Sequence, residues 1–374
     1  MKDMNAAKPH RPIASRIFVG LLFILSVSTF VTGQDKKAGR LVRDIVHGRS
    51  LENAVTGDSA DRNVSVYLPP SYDTATTKRY PSIYLLHGIT DTDETWIKPW
   101  KKNDDGYATI QDVMNKGIAE GKFGEMIIVM PNENTKSFGS FYVNSSVTGN
   151  WEDFTTKELV SYIDGKYRTI AKPEGRGIAG HSMGGYGALT LGMKNPAVYS
   201  VVYAMNPAIM GWAADFTPES PSFANILKVK TVDDLMKTGD LYTMAMVTLG
   251  QAFSPNPNNP PFYADFPFAI VDGKLQPVST TYAKWEAKFP VNMVKENKPN
   301  LSKLRGVRFD SGYDDEFKFI PVNSRLLSAE LTRNAVDHIF EEYNGDHRNR
   351  MWSRTGRLYN EVLPYFWLLL DSNK

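Results

Sequence analysis

The sequence predicts an α/β fold, with a mostly parallel central sheet covered by helices on both faces. Three observations carry this. From Asn63 onward, short β-rich runs alternate with helical stretches, the rhythm of strand–helix–strand units. One run, SIYLL at Ser82–Leu86, is almost continuously apolar, as a strand buried on both faces has to be. Two runs also stop at proline, at Pro69-Pro70 and at Pro131, where backbone donors run out.

The elements follow in order. Residues 64–68 alternate like a half-buried strand, and Ser82–Leu86 is the second strand. A helical stretch presents Ile110, Val113, Met114 and Ile118 on one face. A strand at 126–130 ends at Pro131, and a helix is centred on 157–167. Further strands are expected at 177–179, Val201–Met205, 307–309 and Ile339–Tyr343. Residues 34–62 read as a lead-in and 63–374 as one domain. The length of 374 residues suits two to three domains, or one large α/β domain carrying an insertion.

Residues 207–300 interrupt the rhythm. They hold Pro255, Pro257, Pro260 and Pro261, with Trp212, Phe262, Tyr263, Phe266, Phe268 and Trp285 spread among them. A stretch this long is uncommon as a plain loop. Two readings stand: a lid-like binding insertion, or an extra helical layer that only packs.

Composition removes several functions. With no cysteine, thiol nucleophiles, zinc ribbons, iron–sulfur ligands and disulfides are all absent. Six scattered histidines suggest no metal cluster, and a formal charge of +2 gives no nucleic-acid surface. The first 33 residues read as a secretory signal peptide. Lys2, Lys8, Arg11 and Arg16 against Asp3 make a leader of net +3, an uncharged run follows, and Val31-Thr32-Gly33 offers a cleavage site. An uncleaved anchor is the competing reading, since the run just reaches spanning length; the small residues at its end favour cleavage. No cysteine stands at the cut, which excludes a lipoprotein. Without the leader's four basic residues and one acidic, 39 basic residues face 40 acidic ones, near −1. The chain is therefore expected outside the cytoplasm, secreted or periplasmic, with no stable membrane insertion and no nucleic-acid partner.

The stretch GIAGHSMGG at 177–185 carries the chemistry. An apolar strand runs into Gly180-His-Ser-Met-Gly184, and GYGALTL can start a helix behind it. This is G-x-S-x-G in its strand–turn–helix setting, the nucleophile elbow of the α/β-hydrolase fold. Side chains at Gly180 and Gly184 would collide with neighbouring backbone, and the turn lifts the Ser182 hydroxyl above the sheet. A helix starting behind Ser182 adds a favourable dipole and free N–H groups for developing negative charge.

The base follows by elimination among six histidines. His10 leaves with the leader, His47 precedes the sheet, and His181 neighbours the serine and points elsewhere. His87, ending a strand, is structural; His338 comes before the last strand. His347 follows that strand, where this fold places its base. The acid should follow the preceding strand, where Asp310, Asp314, Asp315 and Glu316 compete. Asp310 lies too near the strand and shapes the turn, and spacing does not separate Asp314 from Asp315. An oxyanion hole needs two preorganised N–H groups. Met183, after the serine, is one; Ile89, in the loop His87-Gly88-Ile89, is the other.

With these residues in place, the chain resembles an esterase family that includes feruloyl and acetyl-xylan esterases, S-formylglutathione hydrolases, enterochelin-esterase-like proteins and mycobacterial mycolyltransferases. The resemblance runs from about Asn63 to the C-terminus. It rests on YPSIYLLHG at 80–88, on Ser140-Phe-Tyr with GNWEDF at 149–154, on Gly180–Gly185 and on Gly345-Asp-His347. It implies that the acid follows a glycine by three positions, which selects Asp315 after Gly312. It also implies Ser182 as nucleophile, His347 as base, and no metal or cofactor. The insertion is longer than in compact formylglutathione hydrolases, and a secreted protein would not meet that cytosolic thioester. The similarity is greatest to the feruloyl or acetyl-xylan type, acting on plant cell-wall esters. Trp96, Trp100, Tyr142 and Trp151 are then expected to stack against a phenolic acyl group or sugar. The alternatives are another ester or thioester hydrolase, an acyltransferase, or a glycan-binding scaffold without turnover.

Overall fold

A computed structural model describes residues 38–98, 108–351, 353 and 356–371. The leader expected at 1–33 and the stacking residue Trp100 lie outside the described residues. Among those described, no helix is long and apolar enough to cross a membrane.

Eight strands form the sheet: β1 (Arg40–His47), β2 (Asp61–Leu68), β3 (Ser82–Leu86), β4 (Ile127–Pro131), β5 (Arg176–His181), β6 (Val201–Met205), β7 (Gly306–Gly312) and β8 (Ile339–Tyr343). Their order is β1-β2-β4-β3-β5-β6-β7-β8. The β1–β2 and β2–β4 pairs are antiparallel; the rest are parallel. The domain therefore begins earlier than expected. Part of the 34–62 lead-in is β1, paired along its whole length with β2 from Arg40↔Leu68 to His47↔Asp61.

The apolar run of β3 divides cleanly between two cores. Tyr84 and Leu86 join the cluster on one face, Ile83 and Leu85 that on the other, because successive side chains leave a strand on opposite sides. The second face is covered by α1 (Ile110–Ala119) and the C-terminal α10 (Leu363–Leu369) through Val113, Met114, Leu363 and Phe366. Over the first face lie α2 (Leu159–Lys166), α3 (Met183–Lys194) and the insertion. A π-helical turn at Phe154–Glu158 leads into α2. After β7, α9 (Phe319–Arg333) returns the chain to β8.

The insertion is a packed layer rather than a loop. It contains α4 (Pro221–Ile226), α5 (Val232–Thr238), α6 (Leu241–Phe253), a hairpin of Phe268–Val271 with Lys274–Pro277, α7 (Ser279–Glu286) and α8 (Pro290–Leu301). Its centre is aromatic. The Trp212 ring lies nearly parallel to Tyr282 at 4.8 Å and to Phe216 at 5.5 Å. Trp285 is fully buried and donates its indole N–H to Ser254 Oγ at 2.7 Å. Trp212 and Trp285 pack inside this layer, and α6 turns one side toward the cleft described next.

Candidate active site

Ser182 caps α3 at the end of β5, with φ 57° and ψ −118°. That backbone is strained for any residue with a side chain, and the surroundings fix it. The Ser182 N–H donates to Met205 O at 3.1 Å, and Ser182 O accepts from Tyr186 N at 3.0 Å and Ala208 N at 2.9 Å. The flanking glycines are sterically required. A Cβ on Gly180 would sit 2.1 Å from Gly184 O, and one on Gly184 would sit 2.3 Å from Leu86 O.

His347 stands in the loop after β8, and Asp315 in the turn after β7. The two loops touch, since a Cβ on Gly312 would lie 2.3 Å from Gly345 O. His347 Nδ1 and Asp315 Oδ2 are 2.8 Å apart, with both side chains buried. Asp315 Oδ1 accepts the Phe317 N–H at 2.8 Å. The carboxylate thereby accepts the Nδ1–H bond, keeps the proton on Nδ1 and leaves Nε2 as the acceptor. The backbone of His347 is fixed too: its carbonyl accepts from Asn206 Nδ2 at 3.1 Å and pairs with His181 Nε2 at 2.8 Å. Burial drives the His181 pKa well below 6.5, so His181 is the neutral donor in that bond. The edge of the Phe317 ring meets the His347 ring at 4.8 Å.

The competing acids have other places. Asp314 and Glu316 are exposed, although Glu316 Oε2 accepts the His347 N–H at 3.2 Å. Asp310 is buried, accepts from Arg357 Nε at 2.9 Å and from Tyr203 Oη at 2.7 Å, and holds the sheet's end rather than the histidine.

Ser182, His347, Ile89 and Met183 all line one cleft. Among the described residues, neither the Ile89 nor the Met183 N–H donates to a protein acceptor; Met183 opens α3, where such donors are left over by geometry. The other walls are mostly apolar. Leu241, Met246 and Leu249 come from α6, and Phe216, Phe319 and Ile320 from either side of β7. These liners were missed because they come from the insertion and from a helix with no motif. Two charged residues, Asp91 and Arg348, complete the cleft.

The stacking assignment is corrected. Trp96, Tyr142 and Trp151 are at most 1% exposed, and none lines the cleft. Trp96 belongs to the core over the far face. The Trp151 indole donates to Thr148 O at 3.0 Å, and Arg62 lies over its ring. The Tyr142 hydroxyl donates to His87 O at 2.8 Å. Each finds its partner inside the protein, and burial leaves no face for a ligand.

His87 is structural, as its position suggests, and it holds the loop that bears Ile89. Its Nδ1 bonds Gly88 O at 2.8 Å, and its Nε2 accepts the Glu133 N–H at 2.9 Å. Burial lowers its pKa to about 4 and raises that of Glu133 to about 8. Thr155 Oγ1 lies 2.6 Å from Glu133 Oε1 and 2.7 Å from Trp151 O. One hydroxyl proton cannot serve both acceptors, and a protonated Glu133 supplies the second. Between pH 4.5 and about 8 the native state therefore keeps a proton that the unfolded chain has lost, and stability falls as pH rises through that window. His87 acts at the other end. Below 6.5 the unfolded chain gains a proton that the native state refuses down to about 4, and stability falls as pH drops. Melting temperature measured from pH 5 to 9 should decline less on the alkaline side in Glu133→Gln than in wild type. Parallel profiles would refute the assignment.

Comparison with known proteins follows this geometry. The family model described as "Putative esterase" matches residues 58–355, most of the chain. An esterase of Mycobacterium tuberculosis is 35% identical over 132 residues, 35% of this chain and 26% of that protein. An endo-1,4-beta-xylanase/feruloyl esterase of Xylanibacter ruminicola is 28% identical over 162 residues, 42% of this chain and 21% of that protein. The alignments thus span about a quarter of these relatives' own length. Among solved structures, a ferulic acid esterase is similar with a TM-score of 0.61 at 22% identity, covering 89% of this chain and 100% of that one. An S-formylglutathione hydrolase from Agrobacterium tumefaciens has a TM-score of 0.58 at 15% identity, covering 89% and 96%. At these identities the structures show a shared α/β-hydrolase fold.

Proposed function

This chain belongs to the esterase family, and on that premise we propose that it is a serine carboxylic ester hydrolase working through an acyl-enzyme on Ser182. The observation that carries the reading is the buried Asp315–His347 bond of 2.8 Å, opening onto the same cleft as a serine held on a strained turn. His347 Nε2 takes the hydroxyl proton as Ser182 Oγ attacks the ester carbonyl, and Asp315 keeps the tautomer and stabilises the imidazolium. The Ile89 and Met183 N–H groups receive the oxyanion; one such donor is typically worth about 2.7–4 kcal/mol. Collapse returns the proton to the leaving alcohol. Water, activated by His347, then breaks the acyl–serine bond and restores the hydroxyl.

The acyl group is read as aromatic, with feruloyl favoured over acetyl. The cleft is mostly apolar, and its Phe216, Phe317, Phe319, Leu241 and Leu249 walls suit a ring. Feruloyl esterases among the similar proteins point the same way. Plant cell-wall polysaccharide as the carrier, and secretion through the leader, complete the reading. Two measurements test it. A fluorophosphonate probe should label the peptide carrying Ser182, and ferulate should be released from methyl ferulate faster than acid from acetylated xylan or a short p-nitrophenyl ester. No label and no release across that panel would leave a hydrolase scaffold that only binds.

A further inference from the structure

We propose that Asp91 selects the alcohol half of the ester, its carboxylate accepting hydrogen bonds from hydroxyls of a sugar-like leaving group beside the scissile bond. This rests on the assignment of Ser182 and His347 given above.

The cleft is chemically lopsided. Beyond the proposed catalytic histidine, its only charged liners among the described residues are Asp91 and Arg348, and everything contributed by α6 is apolar or the ring of Tyr242. Asp91 stands close to the nucleophile. A single point, where a Cβ on Gly88 would lie, is 3.0 Å from Asp91 Oδ2 and 3.4 Å from Ser182 Cβ. The carboxylate oxygen and the Ser182 Cβ are therefore at most about 6.4 Å apart. Asp91 also interacts electrostatically with His347 and Arg348, which puts it on the histidine side of the cleft. That is the side on which the alcohol departs, because His347 must hand it a proton.

A half-buried carboxylate there has a cost. Burial raises its pKa above 3.8 despite hydrogen bonds from the Gly88 backbone and the Thr95 side chain, and its negative charge opposes the oxyanion forming nearby. Donors brought by the substrate would offset both. A hydroxyl vicinal to the esterified oxygen of a sugar sits on the neighbouring carbon, close to the breaking bond, where a carboxylate near Ser182 can accept from it. Two neighbouring hydroxyls can engage both lobes of a carboxylate. A methyl ester brings no donor, and an anionic leaving group would be repelled.

The test compares one acid on two alcohols: methyl ferulate, and ferulate esterified to a pentose. In wild type, kcat/KM for the pentose ester should exceed that for the methyl ester. In Asp91→Asn and Asp91→Ala the ratio of the two should fall tenfold or more, the scale of a lost hydrogen bond to a charged group. A ratio that moves less than twofold, or an equal loss on both esters as a structural role would give, overturns the proposal. If both variants fail to fold, equal kcat/KM for the two esters in wild type overturns it. Wild type that hydrolyses neither ester and takes no fluorophosphonate overturns the hydrolase reading itself, and the Asp91 assignment with it.

Discussion

Replacing Ser182 by alanine is expected to lower kcat on every ester this chain hydrolyses by a factor on the order of 10^4 to 10^6, the scale seen when a serine hydrolase loses its nucleophile. No other group in the cleft can take over. Among its described liners Ser182 is the only aliphatic hydroxyl, and the Tyr242 hydroxyl is committed to Asp215 Oδ2 at 2.5 Å. The substitution should be nearly silent for the fold. Alanine keeps a Cβ, so the strain at φ 57° is neither relieved nor deepened, and the three backbone bonds of residue 182 remain. The checks are kcat on methyl ferulate, loss of fluorophosphonate labelling, and an unchanged melting temperature. Turnover above about one per cent of wild type with normal folding would place the nucleophile elsewhere.

The parts of the fold legible in sequence are those whose environment is set locally. β3, β6 and β8 fall on the expected residues: β3 and β6 because a strand between two helical layers is apolar throughout and bounded by turn formers, and β8, an edge strand reading IFEEY, through its β-rich start. β1 escaped for the opposite reason. It is an edge strand, and its sequence RLVRDIVH keeps Arg40, Arg43 and His47 toward solvent, with only Val46 buried; in isolation this reads as a polar lead-in. The insertion hid short helices whose stability comes from contacts distant in sequence, such as Trp212 against Trp285. One signal in it was available. Asp272-Gly273, both with positive φ, separates two short runs as a tight hairpin turn does.

The proposed serine, base and oxyanion positions were assigned from sequence because steric and topological rules tie such residues to the ends of strands. The aromatic contacts could not. A tryptophan that stacks on a ligand and one that stacks on its own core have the same sequence signature, and partners far along the chain decide between them. Tyr142 is claimed by His87, 55 residues away, and the cleft wall is supplied instead by Phe216, Met246 and Phe319. Asp91 was passed over for a similar reason: nothing in the loop GITDTDE at 88–94 distinguishes a solvated acid from one that the fold turns toward the nucleophile.

The choice between Asp314 and Asp315, open to spacing alone, leads to the second large effect. Asp315→Asn should reduce kcat by about 10^4-fold, whereas Asp314→Asn should stay within about twofold, as exposed substitutions away from special contacts do. The two oxygens of Asp315 each accept one N–H, from His347 Nδ1 and from Phe317 N. An asparagine has one oxygen to offer. If it serves the Phe317 amide, the NH2 group faces Nδ1 and forces the proton of the ring onto Nε2, where it cannot accept from Ser182. If it serves His347, the Phe317 amide is left facing donors in a buried turn, and the stabilisation of the imidazolium by a full negative charge is still lost. Asp314 supplies only its backbone N–H, to Gly345 O at 3.0 Å, which asparagine keeps. Comparable losses in the two variants, or a larger one in Asp314→Asn, would move the acid by one residue and undo the 2.8 Å bond as the organising contact of the site.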